Sequence, residues 1–103
     1  MRSYFLQRLA TRELAEHGLA IAFPDQADYE TKVVFSPDGE NPIAWLCVAE
    51  PDDLGQQEGP YLIAADYSGR FWDFDVEQLV VEVLRHVQGQ IGGVIRDDDG
   101  NEL

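Results

Sequence analysis

The chain has 103 residues, 45% of them hydrophobic, and a formal net charge of −13. This length predicts a single domain, and the hydrophobic content is too high for a chain that stays unfolded. The charge argues against binding to nucleic acids or to anionic membranes, because both carry the same sign. Fourteen acidic and two basic residues lie between Asp25 and Glu82, so we expect a basic partner for this region.

The first predicted element is a helix over Ser3–His17. Its apolar residues recur at spacings of three and four, which is the period of one helix face; they are Phe5, Leu6, Leu9, Ala10 and Leu14. Ser3 is the expected N-cap, and Gly18 is the expected residue after the last turn. The apolar run Leu19–Phe23 fits either a strand or a segment that crosses the core.

Two strands are predicted next, at Thr31–Phe35 and Ile43–Ala49. The sequence Ser36-Pro37-Asp38-Gly39 between them is a strong turn signal, because proline fixes φ and glycine accepts unusual backbone angles. Ile43–Ala49 shows no polar alternation, which is typical of a strand buried on both faces and predicts an interior position in the sheet. A polar loop over residues 50–60 follows.

A second hairpin is predicted from Tyr61–Asp66 and Arg70–Phe74, with its turn at Ser68-Gly69. One face of this hairpin is expected to join the core, and the other to place aromatic rings beside carboxylates, with Tyr67 exposed near the tip. Aromatic area ringed by carboxylates is typical of a surface that binds a basic protein. The predicted partner-binding residues, including two rim charges from the preceding loop, are Asp52, Asp53, Asp66, Tyr67, Trp72, Asp73 and Asp75. The alternative is an ordinary hairpin with one solvated face.

A second helix is predicted over residues 76–90, capped by Asp75, because its apolar residues have a period of 3.6. Val94–Arg96 then predicts a short edge strand. The fold class is therefore α+β, with an N-terminal helix, an antiparallel sheet of four or five strands and a C-terminal helix packed on one face. Residues 1–96 form the predicted domain, and residues 97–103 are expected to be an acidic, flexible tail.

Cys47 is the only cysteine, so the chain forms no internal disulfide. Because it lies in an apolar run, we expect a buried, unreactive thiol that behaves as a small hydrophobic residue. The sequence suggests neither a targeting segment nor an apolar run of membrane-spanning length. These features together predict a cytoplasmic protein.

Catalytic and metal sites find little support in the sequence. The acidic run at residues 97–102 lacks the closing glutamate of a calcium-binding loop. His17, His86 and Cys47 are too few and too separated for a zinc site. The sequence contains no nucleophile motif, and the apolar neighbours of Cys47 are expected to raise its pKa. We therefore predict no enzyme activity, no metal and no cofactor.

The predicted function is non-catalytic binding of a basic protein, as an inhibitor, an immunity-type protein or a regulator. One version is nucleic-acid mimicry, because Asp73 and Asp75 would lie about 6.6–6.8 Å apart on a strand, near two axial steps of one DNA strand. The first alternative is a structural or assembly subunit that self-associates through its sheet, for example as a homodimer. The second is a small-molecule enzyme, which requires a pocket with acids of perturbed pKa.

Overall fold

The computed structural model of the protein describes residues 2–36, 39–51, 57–67 and 76–103. In chain order the elements are β1 (Arg2–Leu9), α1 (Arg12–Ala22), a 3-10 turn (Pro24–Gln26), β2 (Lys32–Phe35), β3 (Pro42–Ala49), β4 (Tyr61–Tyr67), α2 (Val76–Ile91) and β5 (Val94–Asp97). The strands form one antiparallel sheet in the order β2-β3-β4-β1-β5. The α+β class and an antiparallel sheet of five strands are thus confirmed.

The prediction of an N-terminal helix over Ser3–His17 is wrong. Its first half is strand β1, and the first helix begins only at Arg12. A short apolar run such as Tyr4–Leu6 suits a strand as well as a helix, so its periodicity does not decide between them. Pairing decides here, because β1 lies between β4 and β5 and bonds to both.

Helix α1 begins at a threonine cap, where the Thr11 hydroxyl accepts a hydrogen bond from the Leu14 N–H at 3.0 Å. Gly18 does not follow this helix as predicted but lies buried within it. A Cβ at Gly18 would approach Ile91 Cδ1 to 2.7 Å and Val87 Cγ1 to 2.9 Å. The glycine therefore allows α1 and α2 to pack closely.

Both helices pack on one face of the sheet, and the core lies between them and that face. The strands contribute alternate residues, as expected for a sheet with one covered face. On the strands the core residues of this face are Tyr4, Leu6, Val34, Ala44, Leu46, Ile63, Ala65, Tyr67 and Ile95. On the helices they are Ala15, Leu19, Val80, Leu84 and Val87.

The other strand and helix predictions fare better. The strands expected at Thr31–Phe35 and Ile43–Ala49 are β2 and β3, and β3 is an interior strand. The second helix and the edge strand are confirmed as α2 and β5, although the expected cap Asp75 lies outside the described residues. Neither helix in the described ranges has the length and apolar character that crossing a membrane requires.

The second predicted hairpin is confirmed only in its first strand, β4. Its expected partner, Arg70–Phe74, lies outside the described residues. Both edges of β4 are occupied along its length, by β1 on one side and β3 on the other. Strand β4 is therefore the middle strand of the sheet.

The C-terminal residues return along the outer edge of β5. The Asp97 N–H donates to the Asn101 carbonyl at 3.0 Å, and the Leu103 N–H donates to the Ile95 carbonyl at 3.0 Å. Glu102 forms a β-bridge with Arg96. Residues 101–103 thus supply backbone partners to an edge strand.

Candidate functional site

Only two of the seven predicted partner-binding residues lie in the described ranges. Asp66 is half-buried on the sheet face opposite the helices, where its carboxylate accepts a hydrogen bond from the Ser3 hydroxyl. Tyr67 is its neighbour in β4 and faces the helices instead. The remaining predicted residues lie outside the described ranges; they are Asp52, Asp53, Trp72, Asp73 and Asp75.

The expectation that Tyr67 is exposed is wrong. Its relative exposure is 6%, and its ring stacks on Tyr4 with centroids 5.7 Å apart and planes 10° apart. The Tyr4 hydroxyl donates to the Glu77 carboxylate from α2, and burial together with this carboxylate raises the pKa of Tyr4 far above its ordinary value. Tyr67 therefore belongs to the core, and it shares no surface with Asp66.

A groove of about 600 Å³ lies beside the β2 edge of the sheet, and we call it the α1–β3 groove. Helix α1 lines it through residues that include Arg12 and Glu16. The segment 27–32 lines it ahead of and at the start of β2, and β3 contributes Cys47 and Val48. Its volume is in the range of about 300–1,000 Å³ that is typical of ligand-binding clefts.

A side-chain amide closes part of the outer edge of β2 near this groove. The Val33 N–H donates to Gln26 Oε1 at 2.7 Å, and Gln26 Nε2 donates to the Val33 carbonyl at 2.8 Å. Both backbone groups of Val33 therefore point away from β3. Because successive residues of an antiparallel ladder alternate between their two neighbours, Lys32 and Val34 point toward β3.

The same alternation fixes the direction of the β3 backbone. Lys32 is opposite Leu46 and Val34 is opposite Ala44, so Leu46 and Ala44 direct their N–H and C=O groups to β2. Two residues beyond Leu46, Val48 directs its groups to the same side. Strand β2 begins opposite Leu46, so none of the described strands pairs with Val48 on that side, and its backbone groups face the α1–β3 groove.

Hydrogen bonds at the far edge of the sheet agree with this assignment. The same alternation can be followed from β3 through β4 and β1 to β5. It requires the backbone N–H and C=O groups of Ile95 and Asp97 to point away from β1, toward the outer edge of the sheet. Both do so, since Ile95 accepts from Leu103 and Asp97 donates to Asn101. The direction assigned to Val48 is therefore consistent across all five strands.

Lys32 is a buried lysine on the groove side of β2, with a relative exposure of 5%. Its ammonium donates to two backbone carbonyls, those of Gln26 at 2.6 Å and Tyr29 at 2.5 Å. These bonds hold the preceding segment against the start of β2. They also mean that the positive charge of Lys32 is held by backbone carbonyl oxygens of that segment.

The groove has an acidic rim. Glu16, Asp28 and Glu30 are exposed residues that line it. Glu16 lies 3.8 Å from the guanidinium of Arg12, whose cation also sits over the ring of Tyr61 at 5.9 Å. Asp28 and Glu30 have no ion-pair partner among the described residues.

Cys47 is half-buried, so the expectation of a fully buried thiol is wrong. Burial, with a smaller contribution from the Asp66 carboxylate, raises the pKa of the Cys47 thiol. A raised pKa lowers the thiolate fraction at neutral pH, which makes the thiol a poor nucleophile. Cys47 lines the groove, and the register of β3 places its side chain on the same sheet face as Trp45 and Asp66.

A cluster of two arginines and one glutamate ties β1 and β5 to the loop before β4. Arg8 and Arg96 both pair with the Glu58 carboxylate, and the Arg96–Glu58 distance is 3.1 Å. The hydrogen bond from Arg8 is the main cause of a pKa below the ordinary value for Glu58. The Glu58 N–H also donates to the side chain of Gln7 at 3.2 Å.

A second cavity of about 560 Å³ lies near the β5 edge and is lined in part by Phe5, Gln7 and residues 97–100. Two of its carboxylates have backbone partners: Asp97 accepts from the N–H groups of Asp99 and Asn101 at 3.0 and 2.9 Å, and Asp98 accepts from the Ser3 N–H at 2.8 Å. Within the described ranges, no group of three or more histidine, cysteine or acidic side chains is placed to hold a metal ion.

The sheet face opposite the helices carries large apolar side chains on β1, β2 and β3. Phe5, Val33 and Trp45 lie there, by the register of their strands, and each is half-buried. Asp66 and Arg96 lie on the same face.

Comparisons with protein-family models, with curated proteins and with solved structures find no match to this chain.

The groove was missed from the sequence, although a signal for it exists. Residues 25–30 combine three acids with Tyr29, which is the same coincidence of aromatic and acid that directed attention to the hairpin. Tyr29 is 67% exposed, whereas Tyr67 is buried.

Proposed function

We propose that this protein is a non-catalytic module that binds a basic protein partner, as an inhibitor, an immunity-type protein or a regulator. The supporting observation is the exposure of its carboxylates. Of the fifteen acidic residues in the described ranges, twelve are exposed and none is buried. The three ion pairs between described residues use only two of them, Glu16 and Glu58.

Such a surface attracts a basic partner over distances of about a Debye length and accelerates its association. It repels nucleic acid and anionic membranes, so direct binding to either is not part of the proposal. We place the protein in the cytoplasm, where a single unpaired cysteine stays reduced. Mimicry of nucleic acid by Asp73 and Asp75 remains a proposal about residues outside the described ranges.

Affinity capture at two salt concentrations tests this function. The immobilised protein is exposed to lysate at about 20 mM and about 500 mM sodium chloride, which changes the Debye length several-fold. Proteins captured only at low salt are then purified, and their association rates are measured against salt. We expect basic partners whose association slows as salt rises. Partners that are acidic, or association that does not depend on salt, would contradict the proposal.

Self-association through the sheet is the second candidate, and the apolar face bearing Phe5, Val33 and Trp45 favours it. An apolar contact between copies is expected to persist at high salt, unlike a charge-driven contact. Sedimentation equilibrium over a range of protein concentrations distinguishes the two functions. A dimer that survives at about 500 mM salt supports self-association, and a monomer at every concentration excludes it.

A further inference from the structure

We infer that β3 binds an extended, basic segment of a partner protein in the α1–β3 groove, as a short added strand paired at Val48. This inference rests on the proposed function and adds to it a binding site and a binding mode. In this mode the main chain of the partner supplies hydrogen bonds, and its basic side chains meet the acidic rim of the groove.

The backbone of Val48 is the first part of the argument. Its N–H and C=O point to the side where β2 has ended, and no hydrogen bond joins either group to another described residue on that side. An edge residue with free backbone groups is a template for another strand. Other edge positions do have partners: both backbone groups of Val33 bond to Gln26, the Ile95 carbonyl accepts from Leu103, and the Asp97 N–H donates to Asn101.

The space beside Val48 is the second part. The segment 27–31 precedes β2 without pairing to β3 in the register, and it lines the groove together with Cys47 and Val48. The groove therefore lies where a strand in line with β2 would continue along β3. Its volume of about 600 Å³ provides room for a short extended segment.

The charge of the rim identifies the chemistry of the occupant. Asp28 and Glu30 are exposed and have no ion-pair partner within the described ranges. Two basic residues also line the groove. The Lys32 ammonium is buried against the carbonyls of Gln26 and Tyr29. The exposed guanidinium of Arg12 is paired with Glu16 at 3.8 Å, which leaves Asp28 and Glu30 as the acids without an ion pair among the described residues. Lysine or arginine side chains complement this rim. A second copy of this chain is a poorer occupant, since it brings another net charge of −13.

Amide exchange and NMR titration with a defined peptide test the inference. The probe is acetyl-Arg-Val-Lys-Val-Arg-amide. In the free protein, we expect the Val48 amide to exchange at least about tenfold faster than the amides of Cys47 and Ala49, which bond to β4. Adding the peptide is expected to slow exchange at Val48 and to shift the resonances of Val48, Asp28 and Glu30. It is also expected to slow alkylation of Cys47.

Two matched comparisons separate strand pairing from simple charge attraction. Peptides with alternate amides N-methylated keep their charge but lose donors on one edge, and the version that blocks the pairing edge is expected to bind about tenfold more weakly. The double substitution Asp28→Asn with Glu30→Gln is expected to weaken binding by about tenfold at low salt and to flatten its salt dependence. Asp99→Asn with Glu102→Gln makes the same change of charge at the opposite edge and is expected to have less than about a twofold effect.

Several results would overturn the inference. Protection of the free Val48 amide equal to that of Cys47 would show that its backbone groups are already bonded. Equal binding by all N-methylated peptides, or peptide shifts confined to other surfaces, would reject strand addition while leaving the proposed function intact. Concentration-dependent protection of Val48 without peptide would identify a second copy as the occupant. No binding of the peptide at up to about 1 mM and low salt would reject the inference, and absence of basic partners in the capture experiment would separately reject the proposed function.

Discussion

The two outer edges of the sheet are closed in different ways. At β5 the chain closes its own edge, because residues 101–103 return beside it and two backbone hydrogen bonds join them. At β2 the closure comes from side chains: Gln26 bonds both backbone groups of Val33, and Lys32 ties the preceding segment in place. A returning stretch of backbone can bond to several residues of an edge strand in succession. A single side-chain amide, such as that of Gln26, can bond to the backbone of only one residue.

This difference bears on the open position at Val48. Beyond the start of β2, neither a strand nor a side chain among the described residues bonds the outward groups of Val48 in β3. The β5 edge has bonds at Ile95 and Asp97. When side chains close an edge residue by residue, the backbone groups of one residue can remain without a partner. Strand addition requires backbone groups of this kind.

The largest expected effect is that of Lys32→Met, which tests the closure at β2. The substitution removes a buried, charged donor from two backbone carbonyls, and we expect the free energy of unfolding to fall by about 2–3 kcal/mol. Urea unfolding monitored by circular dichroism measures it. Arg85→Met on the exposed face of α2 changes the charge equally and is the control. Equal effects of the two substitutions would show that the Lys32 bonds contribute little.

Gln26→Ala is expected to lower the free energy of unfolding by about 1–2 kcal/mol, because Val33 loses both of its outward partners. Exchange of the Val33 amide is expected to accelerate while the Lys32 and Val34 amides, which face β3, stay protected. Gln90→Ala, at an exposed position of α2, is the control. If the Val34 amide accelerates as much as that of Val33, the assigned direction of the ladder is wrong.

Asp97→Ala tests the opposite edge and is expected to cost about 1 kcal/mol. Its carboxylate accepts from Asp99 and Asn101 at an exposed turn, where water replaces lost bonds more readily. The Leu103 amide is expected to exchange faster as the returning segment loosens. Asp99→Ala, whose side chain is exposed, serves as the comparison. No change at Leu103 would mean that the turn does not hold this edge.

The pH dependence of stability also differs between the two sides, because Glu58 titrates and Gln26 does not. The pKa of Glu58 in the folded protein is below its ordinary value of 4.5. Its contribution is therefore present above that value and is lost as the pH falls through the lowered pKa. The stability difference between the wild type and Glu58→Gln is expected to shrink below about pH 4.5, as measured by urea unfolding. A difference that stays constant down to pH 3 would contradict this.

The smallest expected effect concerns the whole surface. Repulsion among exposed carboxylates destabilises the fold, so raising sodium chloride from about 10 to about 300 mM should increase the melting temperature by a few degrees. Differential scanning calorimetry measures this change. The double substitution Asp28→Asn with Glu30→Gln removes two exposed charges beside the groove and should make this increase in melting temperature smaller. A melting temperature that is flat or falls as salt rises would refute the repulsion.

The sequence predicted most elements but failed at one strand, and that failure affected the candidate site. Tyr4–Leu6 is a short apolar run, so local periodicity did not distinguish a strand from a helix. The turn signal at Ser68-Gly69 predicts Arg70–Phe74 as the hairpin partner of β4, whereas both neighbours of β4 in the structure are other strands, β1 and β3. The same assignment placed Tyr67 at an exposed tip, whereas pairing with β1 and β3 places it in the core.

The groove was only partly accessible from the sequence. The acids and Tyr29 in residues 25–30 give a readable signal of an acidic, aromatic surface. The open position at Val48 depends on contacts between distant residues, namely Gln26 with Val33 and Lys32 with Leu46. No periodicity records such contacts, because they are set by the way the chain returns in three dimensions.

The close helix contact at Gly18 has a mechanical consequence for the sheet. Gly18 abuts Ile91, the last residue of α2, and only Gly92 and Gly93 separate Ile91 from β5. This connection has little slack, since a Cβ at Gly93 would lie 2.8 Å from the Gln7 carbonyl oxygen. A larger side chain at position 18 would have to displace the Ile91 side chain. Because the connection from Ile91 to β5 is short, the packing of the two helices and the position of the strand that carries the returning C-terminal residues constrain each other.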